Sequence, residues 1–443
     1  MPAIYNGYPF VDWDTGTYIS SGMMPFVPSD RPAIYGWLII KTSARFDTLW
    51  LVIVFQNILL AYLLWKIYQL IFESDKSYFL LFIAFITAFT SIAWYSNQII
   101  PDIFTPIMVL SFILLHKSKI ISLLEKIILI LIIALCTTVH SSNLWILLSL
   151  IMGILCVDNL IFKLKFNYHS ILIGIFSALL GIFITLGINY KIENKWVYNK
   201  GAHVFLMGKM LDMGILETFI NEYPQAKKYS LYTYKDTLAS FTHRNFFFDF
   251  QSPLYKQGGW EVVKDEYQAI LLDIVTEPKI LLSILKQTVI CVASQLLQNE
   301  YRIHEGLIYK ENTCPPTDAI NRYFVHESKV YKYSRQAHNL WGQTLDFSIL
   351  KITNQIIFIF SGVFLLAYFS FEKIREKFTK TEQVLLIYCL VAIISNAIIT
   401  GGLASVCNRF QARISWLLPA IILLITLNKF KTSFKYLVKK FNQ

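Results

Sequence analysis

Charged side chains are scarce in this 443-residue chain: Asp, Glu, Lys and Arg make up 16% of it, against about 25% in an average soluble domain. The few charges lie between long apolar runs, and mean hydropathy reaches +0.49. Together these exclude a disordered chain, a coiled coil, a secreted disulfide scaffold and a cytosolic enzyme. What they leave is an all-α polytopic membrane protein. Cysteine is equally sparse. The six residues show neither CxxC nor Cys/His spacing, so no metal cluster is indicated. Cys136, Cys156 and Cys389 fall in apolar runs, where a thiol acts as a small hydrophobe. Cys291 and Cys314 are a candidate pair if their region faces an oxidising compartment. Internal repeats and low-complexity tracts are absent as well.

Basic residues are in excess, 40 Lys and Arg against 29 Asp and Glu, a net charge of +11. In a soluble protein that excess would suggest nucleic acid. Here it follows from the Lys and Arg enrichment of cytoplasmic loops, and no nucleic-acid partner is expected.

Nine stretches read as membrane helices: 49–72, 79–95, 102–115, 127–139, 144–157, 171–188, 355–371, 384–399 and 414–427. Several are shorter than the ~20 residues that cross a bilayer core and must borrow flanking residues or pack inside a bundle. The connectors 116–126 (Lys117, Lys119, Lys126), 158–169 (Lys163, Lys165) and 372–383 (Lys373, Arg375, Lys377, Lys380) are basic, as is the tail 428–443 with five Lys. The alternating connectors 96–101 and 140–143 carry no Lys or Arg. Nine spans put every basic segment on one side, which the positive-inside rule makes cytoplasmic. The expected protein is a multi-pass protein of the inner or plasma membrane. Its C-terminus is cytoplasmic and residues 1–47 and 189–354 are extracytoplasmic. Met1-Pro2-Ala3-Ile4-Tyr5 resembles the outer end of a helix, which leads to the expectation that a first helix precedes it.

The long polar block contains helical patterns at 204–219 and 261–276 and a turn-rich stretch at Cys314-Pro315-Pro316-Thr317. The run 280–297 is almost long enough to span. Ser283, Lys286, Gln287, Ser294 and Gln295 give it polar character, and a crossing there would move the basic loop 372–383 outside. It reads as an amphipathic helix lying on the outer leaflet. The organisation expected is a membrane module over 1–190, an extracytoplasmic domain over 191–354 and a three-helix segment over 355–443.

Ionisable residues near a membrane cost about 2.5–3.5 kcal/mol at a helix centre, so their positions are informative. Each outer connector contributes some. The first has Asp12, Asp14, Tyr18 and Asp30-Arg31-Pro32; the next has Asn97 and Pro101-Asp102; the third is His140-Ser141-Ser142-Asn143; the last has Arg409 and Arg413. A bundle would bring these together at one leaflet. Each has a plain alternative. Asp14 before Thr-Gly suits an ordinary turn, Asp102 suits a helix N-terminus, and His140 reads best as a hydrogen-bonded interfacial histidine. Arg409 and Arg413, one helical turn apart and on the side that basic residues avoid, favour anion binding.

An acidic, aromatic first outer loop, then Arg31-Pro32-Ala33-Ile34-Tyr35 leading into a helix, then Pro101-Asp102 at the start of another, resembles the GT-C superfamily. These are membrane glycosyltransferases that use polyprenyl-phosphate sugars, such as protein O-mannosyltransferases and aminoarabinose transferases. The likeness covers residues 1–190 and, more loosely, the last outer loop. It implies a general base at Asp14 or Asp12, with Asp14 preferred, and a second acid at Asp102 assisting the acceptor or a divalent metal ion. It implies that Arg409, Arg413 and Arg31 hold the donor phosphate; His140, Asn143 and Tyr18, from the converging outer connectors, are the further residues expected in the pocket. The partners implied are a polyprenyl-phosphate-linked sugar, a lipid, glycan or protein acceptor, and membrane lipids. Two other readings compete. An O-antigen ligase or polymerase would use residues such as His243, Arg244 and His304. A flippase would use polar residues within the spans, of which Gln56, Asn57 and Asn396 are the candidates.

Overall fold

A computed structural model describes residues 2–45, 47–117, 121–164, 167–301, 314–338 and 345–441. Among these the chain is helical, with a single isolated β-bridge between Phe10 and Gln98. Seven helices are long and apolar enough to cross a membrane: Trp50–Phe72, Ser141–Leu160, Tyr168–Glu193, Pro278–Leu296, Ser348–Ser370, Lys380–Leu403 and Asn408–Ser433. The protein is a helical, polytopic membrane protein.

After a short helical turn at Pro2–Asn6 come α1 (Trp13–Met23) and α2 (Ile34–Thr42), which cross closely. Gly36 makes the crossing possible: a Cβ there would stand 2.2 Å from the Tyr18 carbonyl oxygen. Next comes α3 (Trp50–Phe72), followed by the shorter apolar α4 (Phe79–Phe89). The stretch 79–95, expected as one span, breaks after α4. Thr90 takes extended backbone, and the Ser91 hydroxyl donates to the Ala412 carbonyl at 2.7 Å. The chain then turns into the protein, and residues 95–110 are buried without a gap.

α5 (Phe104–Lys117) is buried along its whole length to His116, with α6 (Leu123–Val139), α7 (Ser141–Leu160) and α8 (Tyr168–Glu193) packed around it. Neither α5 nor α6 has the length of the seven long helices. α5 is surrounded by protein and has no need to match a lipid thickness, whereas α6 leaves Leu123, Leu124 and Leu131 exposed. A capping box starts α6, with the Ser122 hydroxyl accepting from Glu125 N at 3.2 Å and the Glu125 carboxylate from Ser122 N at 2.8 Å.

The block 189–354 packs in two places. α9 (Ala202–Asp212), α10 (Lys264–Thr276) and the first turns of α11 (Pro278–Leu296) share a core of Val204, Met207, Phe219, Phe246, Tyr267, Ile270 and Ile280. The helical pattern at 204–219 is interrupted at Gly214, whose φ of +69° ends one helix and starts another. By contrast α12 (Pro315–Tyr323) and α13 (Val325–Lys332) join the core of the membrane helices through Ile320, Phe324 and Tyr331. α12 lies on α1, and a Cβ on Gly16 would stand 2.2 Å from the Pro315 carbonyl carbon. The buried Glu327 carboxylate ties α13 to α3, accepting from Tyr8 Oη at 2.7 Å, Leu49 N at 3.2 Å and the Thr48 hydroxyl. α14 (Ser348–Ser370), α15 (Lys380–Leu403), α16 (Asn408–Ser415) and α17 (Leu417–Phe441) complete the bundle. All six cysteines are free, Cys291 and Cys314 included.

Candidate active site

Four segments far apart in sequence converge at the loop end of the bundle. The first is placed by backbone pairing: Phe10 N donates to the Asn97 carbonyl at 3.0 Å, and Ile99 N to the Phe10 carbonyl at 2.8 Å. Thr15 extends this, its hydroxyl accepting from Asp12 N at 2.8 Å and donating to the Ile99 carbonyl at 2.8 Å. The start of α1 is thereby fixed beside Pro101-Asp102, which opens α5. The arginine-bearing α16 is held from three sides. Ser91 grips Ala412, Tyr95 Oη donates to the Arg409 carbonyl at 3.0 Å, and Gln295 of α11 grips Cys407. That last contact is two-sided: Gln295 accepts from Cys407 N and donates to Cys407 O, each at 2.9 Å.

The charged groups form two tiers. In the sealed tier Arg413 and Asp102 have fully buried side chains, with Nη1 2.9 Å from Oδ1. Arg413 also donates to His140 Nε2 at 3.2 Å, Asn396 Oδ1 at 3.1 Å and Ser142 Oγ at 3.3 Å. In the open tier Asp14, 27% exposed, lies between Arg31 and Arg409. Arg31 Nη1 stands 2.7 Å from Asp14 Oδ1 and Arg409 Nη1 2.9 Å from Oδ2. Each of these arginines is anchored elsewhere: Arg409 through Nε to Asp102 Oδ2 at 2.6 Å, and Arg31 through Nε and Nη2 to Asp30. Asp12 Oδ1 lies 3.9 Å from Arg409 Nη1, and Arg31 sits over the Tyr18 ring.

The electrostatics follow from this packing. Burial alone would raise the Asp14 carboxyl, but Arg31 and Arg409 outweigh it and hold the group well below the usual carboxylate range. Burial, and after it the charge of Arg413, push the His140 imidazole down to about 3, so the ring is neutral and accepts from Arg413. Burial keeps the Tyr18 phenol protonated.

Of the residues singled out from sequence, Asp12, Asp14, Asp102, Arg31, Arg409, Arg413, His140 and Tyr18 stand together. Asn143 serves a different purpose, joining helices by accepting from Thr105 Oγ1 at 2.7 Å and donating to the Cys136 carbonyl at 2.8 Å. His243 pairs with Asp212 at 3.1 Å, partly exposed at the edge of the separate core. His304 lies outside the described residues, as do Lys119 and Lys165 of the basic connectors. Ser91 and Tyr95 were not singled out. Their one sequence signal is a four-residue spacing, which puts both on one helix face.

Among the described residues no group of three or more His, Cys, Asp or Glu is placed to hold a metal. Both oxygens of Asp14 and of Asp102 face guanidinium groups. That donor set suits an anion and does not fit a divalent cation. No protein-family model matches the chain, and neither does any curated protein or solved structure.

Proposed function

We propose that the protein is a GT-C-type glycosyltransferase of the cell membrane, moving a sugar from a polyprenyl-phosphate donor to an acceptor hydroxyl at the extracytoplasmic face. The observation that carries this reading is the meeting of Asp14, Arg31 and Arg409 in one partly open charged site. Transfer requires a base near the attacking hydroxyl and cations near the leaving phosphate. Asp14 is the base and Arg31 and Arg409 bind the phosphate, while Asp102, itself held by Arg413, fixes Arg409 from beneath.

The topology that goes with it has nine spans: six of the seven long helices, with α4, α5 and α6 as shorter ones. The remaining long helix, α11, lies along the outer leaflet. Support for that placement comes from its two ends, whose neighbours, the 202–274 core and the connector before α16, fall on the same side in the nine-span count. Ile280 packs in the 202–274 core and Gln295 holds the peptide before α16. Leu282, Leu285 and Val289 remain exposed for lipid.

A flippase is disfavoured because the polar residues within the spans are already engaged. Gln56 bonds Tyr35, Ser96 and Gln98; Asn57 bonds Ile53 and Ser96; Asn396 bonds Arg413, Phe410 and Gln411. The test is profiling of lipid-linked sugars and glycans in a deletion strain complemented with variants. Asp14→Ala should lower transfer by about 10²–10⁴-fold at unchanged membrane abundance. Full activity in both Asp14→Ala and Asp12→Ala would end the assignment.

A further inference from the structure

The open tier has a symmetry that a base alone does not require. Arg31 and Arg409 are each anchored through Nε by a carboxylate other than Asp14: Asp30 for Arg31, and for Arg409 Asp102, which Arg413 shares. Each then sets Nη1 against the same third carboxylate, Asp14, one at each oxygen: Arg409 as a hydrogen bond at 2.9 Å, and Arg31 as an ion contact at 2.7 Å whose Nη1 makes no hydrogen bond. Two preorganised guanidinium groups converging on one small anion is the arrangement that binds a phosphate. In this structure the side chain of Asp14 occupies that seat. Its exposure of 27%, with Arg409 at 21% and Arg31 at 12%, makes it the part of the site that an incoming headgroup meets first.

The charge balance points the same way. Asp12, Asp14, Asp30 and Asp102 face Arg31, Arg409 and Arg413, four carboxylates against three guanidiniums. His140 is neutral, as are the buried phenols of Tyr18, Tyr35, Tyr95 and Tyr301 that line the cluster. With no guanidinium to spare, Arg31 and Arg409 can take a further anion only where Asp14 gives up its place between them. Asp14 in its resting pair is also too weak a base to take a proton from a hydroxyl, because catalytic efficiency follows the base's pKa.

We propose that Asp14 is a placeholder for the donor's phosphate: the anionic headgroup displaces it from Arg31 and Arg409, and this exchange is what turns the carboxylate into a base. The inference rests on the glycosyltransferase reading and adds the order of events. The phosphodiester takes the two Nη1 groups, and Asp14, stripped of its cations and now beside an anion, gains proton affinity. The acceptor hydroxyl gives its proton to Asp14 as its oxygen bonds to the anomeric carbon. The bond from that carbon to the phosphate oxygen breaks, and its electron pair stays on the phosphate between the two arginines. When the polyprenyl phosphate leaves, Asp14 pairs with both arginines again and releases its proton to solvent. Without donor, the base is switched off.

The exchange is measurable without sugar transfer. Methyl farnesyl phosphate is a suitable probe, being a phosphodiester whose single charge does not titrate between pH 5 and 8. Its binding to the detergent-solubilised full chain is followed by calorimetry across that range. Because Asp14 gains proton affinity on release, the probe should bind more tightly as pH falls, by up to about tenfold per unit where one proton is taken up. Calorimetry in two buffers of different ionisation enthalpy should register that proton. Asp14→Asn should bind the probe more tightly than wild type at pH 8 and show no pH slope; Asp14→Glu should keep the slope. Dimethyl phosphate, the headgroup without its chain, should bind at least about tenfold more weakly for want of buried hydrocarbon, with the same slope.

Three outcomes would overturn the exchange: a flat pH profile in wild type, a slope that persists in Asp14→Asn and vanishes only in Asp30→Asn, or weaker binding by a folded, monodisperse Asp14→Asn. Each leaves the donor assignment standing, because the probe still binds. Failure of the probe to bind at any pH would end both.

Discussion

Arg409 and Asp102 stand 307 positions apart in sequence and meet through a 2.6 Å hydrogen bond from Nε to Oδ2. That bond orients the whole guanidinium, leaving Nη1 for Asp14. Arg413 approaches the same Asp102 from the sealed side, and its own Nε is buried without a hydrogen-bond partner. One carboxylate thus supports two arginines with different surroundings, and their substitution should separate stability from activity.

Arg413→Ala should destabilise the protein by ~3–5 kcal/mol, since removing one partner of a buried ion pair strands the other. Arg409→Ala, at a partly exposed position, should cost less stability and nearly all activity. Arg409→Lys should not restore activity, because an ammonium lacks the fork that reaches both carboxylates. Thermal unfolding in detergent beside transfer assays checks this. Equal stability losses in the two alanine variants would contradict the two-tier arrangement.

His140 makes a pH prediction. A histidine with a lowered folded-state pKa leaves the unfolded chain binding more protons as pH falls. Its stabilising contribution is therefore complete above pH ~6.5, the ordinary histidine value, and is lost progressively as pH falls toward about 3. Asp14, also lowered, keeps its stabilising contribution throughout this range and loses it only at more acid pH, below the ordinary carboxylate value. Wild type should lose stability between pH 6.5 and 4.5 more steeply than His140→Gln, in which an amide oxygen still accepts from Arg413. His203, lowered by burial, is present in both and cancels in the difference. Parallel curves would show that His140 is not held neutral.

Much of the site was legible because charge is costly at a membrane: Asp14, Asp102, Arg409 and Arg413 stood out by lying where apolar residues or no cations were expected. The pairing was not legible. Nothing in a local pattern says that Arg31 and Arg409 share Asp14, since Arg409 reaches it from 395 positions away. The fold shows the same limit. Six of the nine expected spans coincide with long helices, but hydropathy could not show the break at Thr90 and Ser91. Residues buried in protein after a turn are as apolar as residues buried in lipid. Asn143 looked like a pocket residue for a similar reason, as sequence does not distinguish a polar group facing a ligand from one bonded to Thr105.

The placement of α11 gives a topological prediction. In a background lacking the six native cysteines, Glu277→Cys and Gln298→Cys flank the helix. A membrane-impermeant maleimide added outside intact cells should label both. Labelling of one from outside and the other only after permeabilisation would mean that α11 spans, which would reverse the side assigned to the loop 372–383.

Gln295 links that helix to the site. Its amide satisfies both backbone groups of Cys407, immediately before the helix that carries Arg409. The side chain is fully buried, so truncation leaves the Cys407 N–H unpaired, at a cost of about 1–3 kcal/mol, while the Cys407 carbonyl keeps the Phe410 N–H at 3.2 Å. Gln295→Ala should lower the melting temperature and weaken binding of methyl farnesyl phosphate, because Arg409 loses its fixed approach to Asp14. Gln295→Glu separates the two effects. Its carboxylate still accepts from Cys407 N but repels the Cys407 carbonyl, so stability should be partly recovered while binding stays weak. Wild-type binding by a destabilised Gln295→Ala would show that the arginine helix keeps its position without α11, leaving the contact a role in stability alone.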